Sequence, residues 1–405
     1  MKNSLFFLSI VLLFLTSCNN NDDVPVTLTR GELISSTFVK TISASEINNL
    51  FPEKSNYEGD ITNLPNYDIS LYSVVYRSIH AGEPIDLSGL IIVPSKKGEL
   101  SQVQYHHGTM LPYPAPNGEG SLDAPSLYNG LTPTTADAQF ETRLFGNYLA
   151  SHGYVVSMPD YSGYAISDNV EHPYSVNNML AEQSVDLILA TKEFCQQQNI
   201  QLNNKTFLSG WSEGGAVTLA TQKLIEAQYS NQISVTASAP LAGFYNTTPF
   251  ASNFLDVFPF TTDDLGEGLD VFIWTLYSLN AFSENPVPFD DIFKYTVDDA
   301  LDVLANRPSS VPAELFKELS QTTKAALLAN IEAHSLITGW TPVAPIYMYH
   351  GTFDDIVFYE GNADATAQSL NTNGGTVELI TYQGYDHYTP ALLFLLDMVT
   401  KFDQL

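Results

Sequence analysis

The feature that most constrains the fold of this chain is the segment 206–215, which reads Thr-Phe-Leu-Ser-Gly-Trp-Ser-Glu-Gly-Gly. The pattern Gly-x-Ser-x-Gly follows a short β-rich run and precedes a run of helical periodicity. A serine at so sharp a turn has a strained backbone, and the residues two before and two after it must lack bulk to clear the crossing chain. Gly210 and Gly214 meet this requirement. The segment therefore predicts a strand–turn–helix element with Ser212 at its tip.

Strand and helix patterns alternate along most of the chain. An antiparallel hairpin is predicted around the turn-prone residues 81–84. The predicted strands are Tyr67–Arg77, Ile85–Val93, Val103–His106, Val155–Met158, Thr206–Ser209, Ile233–Ala237, Ile346–Tyr349 and Val377–Tyr382. The predicted helices are Met179–Gln198, a helix from about Glu213 onward, and Pro390–Phe402, which proline starts. Such alternation predicts a mostly parallel sheet covered by helices.

One long segment, about residues 244–340, interrupts this alternation. It carries no clear strand pattern, only helical patches at Ala300–Ala305 and Glu314–Ala333 among prolines and aromatic residues. We interpret it as a helical cap inserted into the main domain. An independent second domain is the alternative, and it is disfavoured because the strand pattern resumes afterwards and completes the same sheet.

The N-terminus has the features of an export signal. Lys2 precedes an apolar run over Leu5–Leu15, and the residues Leu-Thr-Ser-Cys end at Cys18. This ending resembles a bacterial lipobox, which implies cleavage before Cys18 and lipidation of that cysteine. An ordinary signal peptide that happens to end in cysteine is the alternative.

These patterns divide the chain into a signal peptide over residues 1–17, a flexible tether over 18–30 and a folded domain over 31–405. The predicted location is the bacterial cell envelope, either periplasmic or at the outer-membrane surface. The N-terminal lipid is then the only membrane attachment. The sequence does not indicate an oligomeric state.

Charge and cysteine content exclude several partners. The formal net charge is −29, and such an acidic surface repels nucleic acid. With Cys18 assigned to lipid, Cys195 is left as the second of two cysteines and cannot form an intramolecular disulfide. Cys195 is in phase with a helical apolar pattern, which favours buried packing over a reactive thiol. No metal or redox site is indicated.

The predicted turn makes Ser212 a candidate nucleophile, which needs a histidine to accept its proton and a carboxylate to orient that histidine. In a fold with this strand–turn–helix serine, the order along the chain is serine, acid, histidine. Of the three histidines after Ser212, which are His334, His350 and His387, only His387 lies in a loop after the last predicted strand. His387 is therefore the candidate base, and a surface histidine is the alternative.

Two carboxylates follow the penultimate predicted strand, at Asp354 and Asp355. Either of them lies where the orienting acid is expected. Asp386 directly precedes the candidate base, but neighbouring side chains rarely face each other, so we exclude it.

With these residues in place, the sequence resembles the secretory lipase branch of the α/β-hydrolases, which includes lipase A-like enzymes with a large cap. Beyond the candidate triad, the resemblance rests on Pro159-Asp160-Tyr161-Ser162-Gly163, on His172-Pro173-Tyr174 and on the helix before the serine turn. It covers roughly Tyr67–Leu405. It implies an α/β-hydrolase fold, with a mostly parallel central sheet flanked by helices and a helical cap, and a serine esterase or lipase activity.

The resemblance also chooses the acid. Many α/β-hydrolases read His-Gly-x-x-Asp-x-x-Val at this position with the first aspartate catalytic, and His350, Gly351, Asp354 and Val357 match. It therefore implies Asp354 as the orienting acid and Asp355 as a loop carboxylate.

Two backbone N–H groups are expected to bind the developing oxyanion. The first belongs to Glu213, directly after the serine. For the second, His107-Gly108-Thr109 looks like the His-Gly-x oxyanion loop of lipases, which implies Thr109, with Gly108 and Met110 as alternatives. His106 and His107 are interpreted as residues that orient this loop, because no acidic third metal ligand stands nearby.

The expected reaction is cleavage of a carboxylic ester through an acyl-enzyme, with no cofactor and no metal. The substrate is a small-molecule, lipid or carbohydrate ester. A carbohydrate-ester deacetylase or feruloyl-type esterase at the bacterial surface is the alternative, and a serine peptidase or an inactive binding module are weaker ones. Several cap aromatics are expected either to line an acyl pocket or to form the cap's own core, namely Phe250, Phe254, Phe258, Phe260, Trp274, Tyr277 and Phe282.

Overall fold

The computed structural model describes residues 29–49, 66–110, 123–130, 139–249, 269–292 and 317–405. Its strands are β1 (Leu33–Ile42), β2 (Ile69–His80), β3 (Glu83–Pro94), β4 (Leu100–His106), β5 (Val155–Pro159), β6 (Leu202–Trp211), β7 (Val235–Leu241), β8 (Ile346–Gly351) and β9 (Val377–Tyr382). Its helices are α1 (Ala44–Asn48), α2 (Asn147–His152), α3 (Asn177–Gln197), α4 (Glu213–Leu224), α5 (Leu269–Ala281), α6 (Phe289–Ile292), α7 (Gln321–Glu332), α8 (Asp364–Thr372) and α9 (Ala391–Asp403).

The strands form one sheet in the order β1-β2-β3-β5-β4-β6-β7-β8-β9. The pairs from β1 to β5 are antiparallel, and every pair from β5 to β9 is parallel. The sheet is therefore mostly parallel, as predicted. The carboxyl ends of β4, β6, β7 and β8 meet at one edge, where ligands of such sheets bind.

Helices cover both faces of this sheet. On one face α2 and α9 pack against the central strands in a single apolar cluster. On the other face α3, α4 and α8 pack against the sheet. Cys195 lies inside α3 with 1% of its surface exposed, and burial raises the pKa of its thiol to about 12. This confirms the predicted packing role, because a neutral buried thiol is a poor nucleophile.

Most predicted elements are present. β2 and β3 pair from Ile69 to His80, and the turn between them holds Ala81 and Gly82 with φ of 49° and 83°. Two positive φ angles define the tight turn that matches the twist of a hairpin. β7 begins at Val235, two residues later than predicted. The sequence patterns do not predict β1, α1, α2 or α8.

The predicted boundary of the tether is wrong by at least one residue. The Arg30 guanidinium donates to Asp186 at 3.1 Å and also contacts Glu182, both on α3. Asp186 further accepts a hydrogen bond from the Ser78 hydroxyl at 2.7 Å. A buried carboxylate needs such partners, so Arg30 belongs to the folded domain. The signal peptide, Cys18 and residues 18–28 lie outside the described residues.

Part of the predicted cap is described. α5, α6 and α7 lie within it, and α7 falls inside the predicted patch Glu314–Ala333. The patch Ala300–Ala305 lies outside the described residues. After this segment, β8 and β9 continue the same sheet next to β7. In the parts of the chain listed above, no helix combines the length and apolarity needed to cross a bilayer.

Candidate active site

Ser212 lies between the end of β6 and the start of α4. Its φ is 58° and its ψ is −121°, a strained conformation for a residue with a side chain. A Cβ atom on Gly214 would lie 2.0 Å from the His106 carbonyl oxygen, and one on Gly210 would lie 2.4 Å from the Gly214 carbonyl oxygen. Only glycine fits these two positions, as the sequence pattern requires. Ser212 itself is partly exposed.

This close packing predicts a large stability loss for Gly214→Ala. The added methyl group must displace the backbone of β4 and its following loop, which we expect to lower the free energy of unfolding by about 3 kcal/mol. Gly82→Ala is the control, because a Cβ there meets nothing within 4 Å and only its φ of 83° is strained. That strain costs about 1 kcal/mol. Urea denaturation measures both changes. Equal losses in the two variants would contradict the steric explanation.

His387 and Asp354 form a buried pair beside this turn. The His387 Nδ1 atom lies 2.8 Å from Asp354 Oδ2, and Asp354 Oδ1 accepts the N–H groups of Ile356 and Val357 at 3.0 and 2.8 Å. Burial alone would raise the Asp354 pKa, but hydrogen bonds from His350 and His387 outweigh burial and hold it well below its usual range. Asp354 is therefore a carboxylate that can fix the orientation of the His387 ring.

The two other carboxylates considered have different surroundings. Asp355 is exposed to solvent. One oxygen of Asp386 accepts the backbone N–H groups of Tyr388 and Thr389 at 2.9 and 2.8 Å, so this side chain holds the turn after the histidine. Of the three, Asp354 is the one that the structure joins to His387.

The histidine loop packs against the serine turn. The Trp211 indole N–H donates to the His387 carbonyl oxygen at 3.2 Å, and the rings of these two residues lie 5.6 Å apart. A Cβ on Gly351 would lie 2.4 Å from the Tyr385 carbonyl oxygen. The absence of a side chain at Gly351 therefore allows the histidine loop to pack against the end of β8. The residue next to Ser212 is thus in direct contact with the candidate base.

The loop after β4 lies against the other side of Ser212. A Cβ on Gly108 would be 3.4 Å from Ser212 Cβ and 3.1 Å from the Trp211 carbonyl oxygen. The Gly108 N–H donates to Glu141 at 2.8 Å, which leaves the N–H groups of Thr109 and Met110 as the loop's candidates for the oxyanion. The Thr109 hydroxyl lies 2.8 Å from the Tyr174 hydroxyl.

His106 and His107 contact backbone and a hydroxyl group, as expected for residues that orient the loop. His106 Nδ1 lies 3.1 Å from the Ser209 carbonyl oxygen and 2.8 Å from Thr218 Oγ1. His107 Nδ1 lies 2.7 Å from the Gly108 carbonyl oxygen. Burial lowers the pKa of His106 to about 3, so this ring is neutral over the physiological range.

Two features of the site escape the sequence patterns. The sequence indicates a role only for the backbone of Glu213, yet its side chain is buried and its Oε1 lies 2.9 Å from His172 Nε2. The other ring nitrogen of His172 lies 2.9 Å from the Ser162 carbonyl oxygen. Glu141 is the second feature, and it stands in a segment with no motif. For the contact between His172 and Glu213, the sequence offers one signal, the motif His172-Pro173-Tyr174. This motif does not indicate that Glu213 is the partner.

The described aromatic residues of the predicted cap make ring contacts. Trp274 of α5 stacks on Tyr174 with ring centroids 4.1 Å apart, and Phe282 meets the His80 ring edge-on at 5.7 Å. Tyr277 packs on Phe289 within the cap. The other predicted aromatics, Phe250, Phe254, Phe258 and Phe260, lie outside the described residues. Trp274 and Phe282 therefore contact residues of the main domain, whereas Tyr277 contacts another residue of the predicted cap.

Comparison with known proteins adds a family context. A model of the secretory lipase family matches residues 128–257, which include the serine turn. The secreted triacylglycerol lipase LIP1 of Malassezia furfur is 25% identical over 281 residues, or 63% of this chain. The match spans 53% of the length of that relative.

Solved structures extend the likeness to nearly the whole chain. The rice cell wall degrading esterase LipA from Xanthomonas oryzae has a TM-score of 0.72 at 21% identity, over 93% of this chain and 98% of LipA. Candida antarctica lipase A has a TM-score of 0.63 at 17% identity, over 89% of this chain and 78% of that structure. The fold is thus that of the α/β-hydrolases, as predicted. Within this fold, the chain is similar to proteins of the secretory lipase family.

Proposed function

We propose that this chain is a serine hydrolase that cleaves carboxylic esters, with Ser212 as its nucleophile. One observation carries the proposal: Ser212 occupies a strained strand–turn–helix element, and the preceding residue, Trp211, contacts the histidine of a buried carboxylate–histidine pair. Trp211 is part of the serine turn, and its indole N–H donates to the His387 carbonyl oxygen in the histidine loop. In such a pair the carboxylate orients the ring, and the histidine can then accept the proton of a serine hydroxyl group.

In the proposed reaction, His387 accepts the Ser212 proton as the hydroxyl attacks the ester carbonyl. Asp354 holds the Nδ1–H of His387, which leaves Nε2 free to accept that proton. The N–H groups of Glu213 and Thr109 bind the oxyanion of the tetrahedral intermediate. His387 then protonates the leaving alcohol, and water hydrolyses the acyl-enzyme by the same steps in reverse order. None of these steps uses a cofactor.

The named relatives support an ester as the substrate. The Malassezia protein is described as a triacylglycerol lipase and the Xanthomonas protein as an esterase that degrades plant cell walls. Both descriptions name enzymes that hydrolyse esters. A carbohydrate ester is our second candidate, because the likeness to the cell wall degrading esterase covers nearly the whole chain.

The test combines covalent labelling with a substrate panel. A fluorophosphonate probe should label the protein, and the modified peptide should contain Ser212. Hydrolysis is then compared for nitrophenyl acetate, butyrate and palmitate, and for acetylated and feruloylated sugars. Labelling elsewhere would refute the assignment of Ser212, and absence of both labelling and hydrolysis would refute the proposed function. The fastest ester class decides between the two substrate candidates.

We further propose that the protein is exported and attached to the bacterial envelope through lipid on Cys18. The support is the lipobox-like segment that ends at Cys18, and the relative from Malassezia is itself described as secreted. The wild-type protein should sediment with membranes and Cys18→Ala should be released, as followed by immunoblotting of the two fractions. A Cys18→Ala protein that stays with the membranes would refute the anchor.

A further inference from the structure

We propose that Glu141 is a positioning residue that holds the oxyanion loop against the nucleophile. This inference rests on the proposed function, since it assigns a role within the same reaction. Glu141 lies just before the helical segment that leads into α2, and no sequence motif or comparison assigns it a role. Its two carboxyl oxygens connect β4 with the loop that follows β4.

The contacts of Glu141 carry the argument. One oxygen accepts the Gly108 N–H at 2.8 Å, and the other accepts the Tyr105 hydroxyl at 2.8 Å. The Tyr105 ring is itself buried and stacks on Phe145 with centroids 4.9 Å apart. Tyr105 of β4 therefore fixes the position of the Glu141 carboxyl group. The carboxyl group in turn holds Gly108 in the loop after β4.

The loop that Glu141 holds is the one beside Ser212. Gly108 approaches Ser212 and Trp211 so closely that a Cβ there would contact both. The next N–H along the chain, that of Thr109, is our candidate for the oxyanion. Without an acceptor at Glu141, the Gly108 N–H would lose its hydrogen bond. The peptide group at Gly108 would then rotate to reach another acceptor. Oxyanion donors act only when they are fixed where the charge develops.

The protonation state of Glu141 leaves this role intact. Burial raises the pKa of Glu141 to about 8, against the opposing hydrogen bonds from Gly108 and Tyr105, while Asp123 and Glu213 add to the shift. The neutral acid still offers one carbonyl oxygen to the Gly108 N–H, and its hydroxyl can donate to Tyr105. A glutamine side chain reproduces both interactions, whereas leucine reproduces neither.

The experiment compares Glu141→Leu with Glu141→Gln on a nitrophenyl ester. We expect kcat of Glu141→Leu to fall about 10- to 100-fold with KM changed less than about threefold, because the lost interaction acts only in the transition state. Glu141→Gln should keep kcat within about threefold of the wild type. Tyr105→Phe frees one carboxyl oxygen and should lower kcat by a smaller factor, which tests the role if the leucine variant does not fold.

The matched control is Glu226→Leu. Glu226 also holds a loop through two backbone N–H groups, those of Val343 and Ala344 at 3.0 and 2.9 Å, before β8. Its loss should lower the melting temperature and leave kcat of the folded protein unchanged. A Glu141→Leu variant with wild-type kcat, a loss confined to KM, or a Glu141→Gln variant as impaired as leucine would overturn the inference. A wild type that neither hydrolyses esters nor is labelled at Ser212 would instead refute the proposed function, and the inference with it.

Discussion

Ser212→Ala is expected to lower kcat/KM for nitrophenyl esters by at least about 10⁴-fold, because only binding and the oxyanion donors then remain. The substitution removes one oxygen atom and keeps the strained turn, so the protein should stay folded. Labelling by a fluorophosphonate should disappear together with activity. Circular dichroism and initial-rate measurements check the two parts of this expectation.

The control for this variant is Ser209→Ala, on β6 three residues before Ser212. The Ser209 hydroxyl is buried and donates to the Ala239 carbonyl oxygen at 3.0 Å, away from the solvent-exposed side of the turn. Its removal should lower stability by about 1 kcal/mol and leave kcat unchanged. If Ser212→Ala kept more than a small fraction of the activity while Ser209→Ala lost it, Ser212 would not be the nucleophile.

Asp354→Asn is expected to lower kcat by about 10⁴-fold. The reason lies in the partners of the two oxygens of Asp354. Oδ1 accepts two N–H groups and must remain an oxygen, so the asparagine amide would face His387 Nδ1. The amide would then donate to Nδ1 and move the ring proton to Nε2. A ring with a proton on Nε2 cannot accept the proton of Ser212.

Asp355→Asn is the matched control, since the same change is made one residue away on an exposed side chain. We expect its kcat to stay within about twofold of the wild type, because exposed charges are screened by solvent. Rate measurements from pH 5 to 9 distinguish a lost base from a shifted optimum. Comparable losses in the two variants would contradict the assignment of Asp354 as the orienting acid.

The sequence predicts the serine turn well because the constraint there is local. Gly210 and Gly214 are required because the backbone passes close to both positions. In the structure, carbonyl oxygens lie where side chains of these two residues would be. The choice of His387 as the candidate base follows from its order along the chain and from its position in the loop after the last strand. The choice between Asp354 and Asp355 is different, because it depends on which side chain turns inward. The packing of β8 against the histidine loop decides which aspartate turns inward. In the sequence, only the resemblance to known α/β-hydrolases indicates Asp354.

Glu141 and the side chain of Glu213 could not be predicted for the same physical reason. Their partners are 33 and 41 residues away in sequence, and no short pattern connects either glutamate with its partner. β1 is missed because it is an edge strand whose middle is mostly exposed, so it lacks the apolar alternation of β2. Edge strands and buried carboxylates owe their positions to tertiary packing, which short patterns do not encode.

The contact between His172 and Glu213 joins the serine turn to a distant part of the chain. His172 Nε2 lies 2.9 Å from Glu213 Oε1, and His172 Nδ1 lies 2.9 Å from the Ser162 carbonyl oxygen. Glu213 directly follows Ser212 and is the first residue of α4. The backbone of Glu213 is therefore held by its own side chain as well as by the helix, which favours an N–H group that is already in place before a substrate binds.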